Sequence, residues 1–240
     1  MPTLFAIPKP FRGHNKVIQR NAIRSWTLLG PTFKIILFGD DEGTAETATE
    51  FGVCHGPDVE RNEYGTPLMD DLFEKGESLA IDDLMCYVNS DIILMGDFAR
   101  AVEYVAKRQH PRPFMMAGRR WSIVMDEPLD FKAGWEEQLR AYAIQSGNLY
   151  PPCGVDYWVF SRGLYENIPP FAIGRMSADN WFLHRAVSLG ASLIDATEVV
   201  VAVHQGHDYS HISPKGRRRA DLIEAPNRNG TSSWLAGCMA

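Results

Sequence analysis

Apolar residues fall along this chain in short runs that alternate with spaced stripes. Thr3 to Ile7 is an apolar run stopped by Pro8 and Pro10, which predicts a buried strand leading into a loop. Asn15 to Leu29 carries Val17, Ile18, Ala22, Ile23, Trp26 and Leu29 at helical spacing and ends at Gly30 and Pro31. Phe33 to Phe38 is a second strand, Thr44 to Phe51 a short helix, and Val53 and Cys54 a short strand. Pro67 to Ile81 follows as a helix, with Leu68, Leu72, Leu79 and Ile81 as its apolar positions. Leu84 to Val88 and Ile92 to Leu94 are apolar runs separated by Asn89, Ser90 and Asp91. Asp97 to Lys107 and Ala178 to Leu189 read as helices. Phe114 to Ala117, Trp121 to Val124, Val155 to Phe160, Ser192 to Ile194 and Glu198 to His204 read as strands.

Strand, helix, strand, helix, strand in the first half predicts an α/β fold: a central, mostly parallel mixed sheet flanked by helices. Ligands of such sheets bind beyond the carboxyl ends of the strands, which directs attention to the loops after Ile7, Phe38, Val88 and Val203. The 240 residues show no linker or repeat, so a single domain spanning 1–240 is expected. The tail after Tyr209, polar and carrying Arg217, Arg218 and Arg219, reads as a loop or flap over 212–240.

The net charge of -6 argues against a general nucleic-acid binder, while leaving room for a small anionic ligand in a local positive cluster. No apolar run is long enough to span a bilayer, and the first residues lack a signal-peptide pattern. Cys54, Cys86, Cys153 and Cys238 form no CxxC pair, so reduced thiols in a cytoplasmic chain are expected, with peripheral association at a membrane left open.

Asn89, Ser90 and Asp91 place polar and acidic groups inside an apolar stretch. A carboxylate beside a core strand is costly unless a cation or strong hydrogen bonds compensate, and oxygen ligands suit magnesium or manganese. The same three residue types also favour a plain turn. The segment resembles the DxD motif of the GT-A (Rossmann-like) glycosyltransferases, with Asn89 standing where the first Asp would be. The resemblance implies a metal-dependent transfer of sugar from a nucleotide-diphosphate donor, UDP- or GDP-linked, to a hydroxyl of a glycan, a lipid-linked sugar or a small molecule. It implies Mn2+ or Mg2+ as cofactor, with Asp91 as metal ligand and Asn89 and Ser90 at the donor. It also divides the domain into a nucleotide-sugar half, 1–95, and an acceptor half, 96–211.

Phe171 to Leu183 puts Asp179 and Asn180 at a helix start. Asp is a common cap there, and the segment also resembles the acceptor-side acidic motif of inverting GT-A enzymes. Asp179 would be the general base, beside Asn180, for a single displacement with inversion; such help is worth roughly a hundredfold to ten-thousandfold. His204, His207 and His211 follow an apolar strand, and imidazole is a competent metal ligand. In the GT-A pattern a late His completes the metal site, which implies His204 first and His207 second.

Other positions support this reading. Pro8, Lys9 and Arg12, after the first strand, would line the nucleotide pocket, with a cation near phosphate. Asp40 would meet the base or ribose, as an acceptor-only carboxylate does. Asp156 would bond sugar hydroxyls, and Tyr157 or Trp158 would stack on a sugar while the other joins the core. Arg217 to Arg219 read as solvated surface. Three rivals remain: a sugar nucleotidyltransferase, disfavoured by the single Gly in Pro8 to His14; a metal-dependent phosphoesterase built on His204, His207, Asp208 and His211; and a non-catalytic sugar-binding domain.

Overall fold

The computed structural model describes residues 1–108, 112–152, 154–175 and 178–206. In chain order the elements are β1 (Thr3–Ala6), α1 (Gly13–Thr27), β2 (Lys34–Phe38), α2 (Thr44–Phe51), β3 (Cys54–Gly56), α3 (Met69–Leu79), β4 (Leu84–Val88) and β5 (Ile92–Ile93). There follow α4 (Gly96–Ala106), β6 (Phe114–Ala117), β7 (Arg120–Val124), α5 (Trp135–Ser146), β8 (Asn148–Leu149), β9 (Tyr157–Ser161), α6 (Ala178–Ser188), β10 (Ser192–Asp195) and β11 (Ala202–Gly206).

Among the described residues, seven strands form one sheet in the order β10-β6-β9-β4-β1-β2-β3. β9 runs antiparallel to both its neighbours, β4 and β6, and the other pairings are parallel. The expected mostly parallel mixed sheet is therefore present. Its interior strands read as continuous apolar runs because helices cover both faces. Alternation along β9 divides the core: Tyr157 and Val159 pack with Trp26, Leu37 and Phe98 on one side. Trp158 and Phe160 pack with Phe5, Phe73 and Phe182 on the other. The second side is an aromatic cluster, with Phe73 and Phe182 ring centres 4.7 Å apart and Tyr87 and Trp158 4.6 Å apart.

A second sheet, β5-β11-β7-β8, stands beside the first. After Asp91 the chain leaves the central sheet, and Ile92 and Ile93 pair with β11. Helix α5 and strand β8 carry no clear periodic signal; Leu139 and Ala143 are the buried residues of α5, too few to make a stripe. The last strand starts at Ala202 rather than Glu198, because 197–199 turn and the Val200 N–H closes on the Ala196 carbonyl at 2.9 Å.

Two features fix the loop after β1. The Phe11 N–H donates to the Glu42 carbonyl at 2.8 Å. Gly43, at φ 87°, leaves space for Phe11; a Cβ there would stand 2.7 Å from the Phe11 Cβ. Cys54 and Cys86 are free thiols; Cys153 and Cys238 lie outside the described residues. No helix among the described residues is long and apolar enough to cross a membrane.

Candidate active site

β1 lies between β2 and β4: the chain builds outward from β1 to β2 and β3, then crosses back to place β4 on the other side of β1. Sheets of this kind open a crevice at such a point, beyond the carboxyl ends of the strands. Here that edge brings together the loop from Ile7, the turn at Gly39, the segment Asn89 to Asp91, and Asp156 where β9 begins.

The Asn89 turn is held from the neighbouring strand. The Asn89 backbone N–H donates to the Asp156 carbonyl at 2.8 Å, and its side-chain Nδ2 donates to Asp156 Oδ1 at 2.7 Å. The Tyr87 hydroxyl donates to Asn89 Oδ1 at 3.1 Å. Asp156 is buried, and its Oδ2 accepts from the Arg120 guanidinium. Burial pushes the Asp156 carboxyl up to about 6; Arg120 and Asn89 oppose the rise and the Asp91 charge adds to it. Tyr87 reports the surroundings in the same way: burial first, then the charges of Asp156, Asp91 and Asp179, hold its phenol well above the usual value. The charges of three carboxylates thus reach one hydroxyl.

Ser90 Oγ donates to Gln19 Oε1 at 3.1 Å. The same Gln19 oxygen accepts from the Lys9 N–H at 2.6 Å, and Gln19 Nε2 donates to the Lys9 carbonyl at 2.8 Å. Helix α1 therefore ties the loop containing Pro8 and Lys9 to the Asn89–Asp91 turn.

Asp91 Oδ2 and His204 Nε2 lie 3.6 Å apart, because β11 pairs His204 opposite Ile92. The side chains keep 18% and 5% of their exposure, so this pair is nearly enclosed. One carboxylate and one imidazole at this spacing fit a shared divalent ion, since ligands about 2.1 Å from one centre lie within roughly 4 Å of each other. No group of three or more His, Cys, Asp or Glu side chains able to hold a metal occurs among the described residues. Among the described residues, Asp91 and His204 are the two side chains that would hold an ion here. His207, the second His expected at this site, lies outside the described residues, as do His211 and Arg217 to Arg219.

On the acceptor side, Asp179 opens α6. Its Oδ2 accepts from the Val155 N–H at 3.3 Å and its Oδ1 from the Asn180 N–H at 2.9 Å. Burial raises its carboxyl above the ordinary value, against these backbone bonds and the Arg120 charge. Val155 adjoins Asp156, so Asp179 stands near the carboxylate that holds Asn89.

Several expected positions are engaged elsewhere. Arg12 pairs with Glu42 and is 72% exposed in its side chain. Asp40 accepts from Arg61 at 2.6 Å, which holds its carboxyl below the usual range. Asp156 meets Arg120 and Asn89 instead of opening toward a sugar. Tyr157 and Trp158 are both core residues, because adjacent positions of β9 feed opposite clusters that are each closed over by helices. Conversely, Gln19, Tyr87 and Arg120 shape the site without a sequence signal beyond a polar group in an apolar run.

The fold defined by this sheet order, with an antiparallel strand inserted beside β4, is that of the GT-A glycosyltransferases. Two proteins of known structure represent the likeness. Glucosyl-3-phosphoglycerate synthase from Mycobacterium tuberculosis, in complex with phosphoglyceric acid, superposes with a TM-score of 0.56 at 14% identity, over 96% of this chain and 81% of that one. Its complex with Mn2+, UDP-glucose and phosphoglyceric acid gives 0.54 at 15% identity, over 93% and 78%. S. aureus TarS, residues 1–349 in complex with UDP-GlcNAc, gives 0.57 at 11% identity, over 98% and 69%. No protein-family model matches the chain, and no curated protein does.

Proposed function

We propose that the protein is a metal-dependent glycosyltransferase that moves a sugar from a nucleotide-diphosphate donor to an acceptor hydroxyl. The observation that carries the reading is the Asp91–His204 pair, 3.6 Å apart at the ligand-binding crevice of a GT-A fold. Solved structures of the same fold hold Mn2+ with UDP-glucose, and Mg2+ with UDP.

Asp91 and His204 would hold Mn2+ or Mg2+. When bound, the ion supplies positive charge against the leaving diphosphate. Gln19 keeps the Lys9 loop and Ser90 in fixed relation, which shapes the donor wall. Asn89 shapes that wall through its backbone and the Asp156 bond rather than as a ligand. Asp179 takes the proton from the acceptor hydroxyl, whose oxygen attacks the anomeric carbon; the sugar–phosphate bond breaks and configuration inverts. The raised proton affinity of Asp179 suits this task, because a base works best with its pKa nearer the working pH.

A thermal-shift screen of nucleoside diphosphates and nucleotide sugars, with and without Mn2+, tests the proposal. A ligand at a hundred times its dissociation constant adds about 2.7 kcal/mol of stability. The expected result is a Mn2+-dependent shift with a UDP or GDP compound that disappears in Asp91→Ala. A shift with metal alone, unaffected by every nucleotide, overturns it.

A further inference from the structure

The residue after His204 faces the other way along β11, and its surroundings are unusual for a strand interior. Gln205 is fully buried in the run Ala202, Val203, His204, Gln205. Its Nε2 donates to the Ile18 carbonyl at 2.8 Å and to the Asp91 carbonyl at 3.1 Å. Its Oε1 accepts from Asn21 Nδ2 at 2.9 Å. Two carbonyls and one N–H around the amide fix which end is which, and both of its N–H groups are used. The Gln205 backbone N–H adds a longer contact to the same Asp91 carbonyl, at 3.4 Å.

Asn21, itself buried, extends the network. Its Nδ2 also reaches the Glu127 carbonyl at 3.2 Å, and its Oδ1 accepts from the Leu129 N–H at 2.8 Å. Successive residues of β11 therefore hold the two ends of Asp91: His204 meets its carboxylate, and Gln205 meets its carbonyl. An apolar side chain would fill the same space, but a neutral amide donates to the helix carbonyl and the turn carbonyl while accepting from Asn21.

We propose that Gln205 is the positioning residue of the metal site, setting the orientation in which the Asp91 carboxylate meets His204. The inference rests on the reading of Asp91 and His204 as metal ligands. Groups that orient ligands from behind typically account for about tenfold to a hundredfold in metal affinity.

The test is Mn2+ affinity, read from the electron paramagnetic resonance signal of free Mn2+, with and without UDP. It uses the full chain well below its melting temperature. Gln205→Met keeps length and bulk and removes every side-chain hydrogen bond. Asn21→Ser removes the group that orients the Gln205 amide, and carries the test if Gln205→Met does not fold. The expected result is Mn2+ binding weakened about tenfold or more in Gln205→Met. Asn21→Ser shifts it in the same direction by less, and Asp91→Ala loses binding. If folded Gln205→Met melts earlier but binds Mn2+ like the wild type, Gln205 is only structural and the inference fails. If Asp91→Ala itself binds Mn2+ like the wild type, the metal-site reading fails instead, whichever way Gln205→Met behaves.

Discussion

Asp179→Asn separates chemistry from folding. The carboxylate accepts from Asn180 through Oδ1 at 2.9 Å and from Val155 through Oδ2 at 3.3 Å. An amide keeps the first bond and opposes the Val155 N–H with its own NH2. Loss of one long hydrogen bond costs about 1 kcal/mol. Against this stands the relief of a buried charge. The Asp179 carboxyl is raised in the folded state, so ionising it destabilises the fold as pH rises from the unfolded value through the folded one. The amide carries no such penalty, so at neutral pH the two effects offset and stability should change by no more than about 1 kcal/mol. The base is nevertheless gone, and acceptor-dependent release of nucleoside diphosphate should fall by roughly a hundredfold to ten-thousandfold. Binding of Mn2+ and the diphosphate should not change. In the wild type, turnover should rise with pH along a limb above the ordinary carboxylate value of about 4. The assay is steady-state release with donor and acceptor, run beside urea unfolding of both proteins. Transfer within threefold of wild type by folded Asp179→Asn would refute the assignment.

Asn89→Asp, which restores the usual DxD spelling, should lower stability by about 1–3 kcal/mol, because the new oxygen faces Asp156 Oδ1 where Nδ2 now donates at 2.7 Å; an unchanged or higher melting temperature would count against that geometry. Arg120→Ala should cost about 3–5 kcal/mol in urea unfolding, since it strands a buried Asp156 carboxylate. Phe73→Ala should cost about 3–5 kcal/mol by the same measurement, because this ring packs on Phe5, Tyr87 and Phe182. A loss under 1 kcal/mol would mean the cluster collapses to fill the space.

The central sheet was legible because its strands are covered on both faces and spell themselves as unbroken apolar runs. Leu84 to Val88 and Phe114 to Ala117 begin and end where the pattern puts them. Of the second sheet, β7 and β11 were read as strands and Ile92 to Leu94 as an apolar run, whereas β8 spans two residues and leaves no period to detect. At the site, Asp91 stood out as an acid inside an apolar stretch, and the pairing with His204 followed the predicted strand end. The partners of Arg12 and Asp40 were not legible, because an exposed charge is met by whichever partner the fold brings near, here Glu42 and Arg61. Gln19, Asn21 and Gln205 were illegible for another reason. Each is an amide whose importance lies in backbone groups that no side-chain spelling records.

The antiparallel seating of β11 on β5 also sets a clock on the nascent protein. Gln205 follows Asp91 by 114 residues. At a synthesis rate of about 5–20 residues per second, the turn waits roughly 6 to 23 seconds on the ribosome before the strand that secures it emerges. Closing a loop of that length then costs about 4 kcal/mol of chain entropy. For the first part of that interval, before Tyr157 to Ser161 emerge, β4 lacks β9 as well, and its apolar edge is open to wrong partners. Chaperone engagement should accordingly be greatest for chains arrested between Asp91 and Tyr157, and a truncation before Ala202 should retain the donor strands yet leave Asp91 without His204 and Gln205.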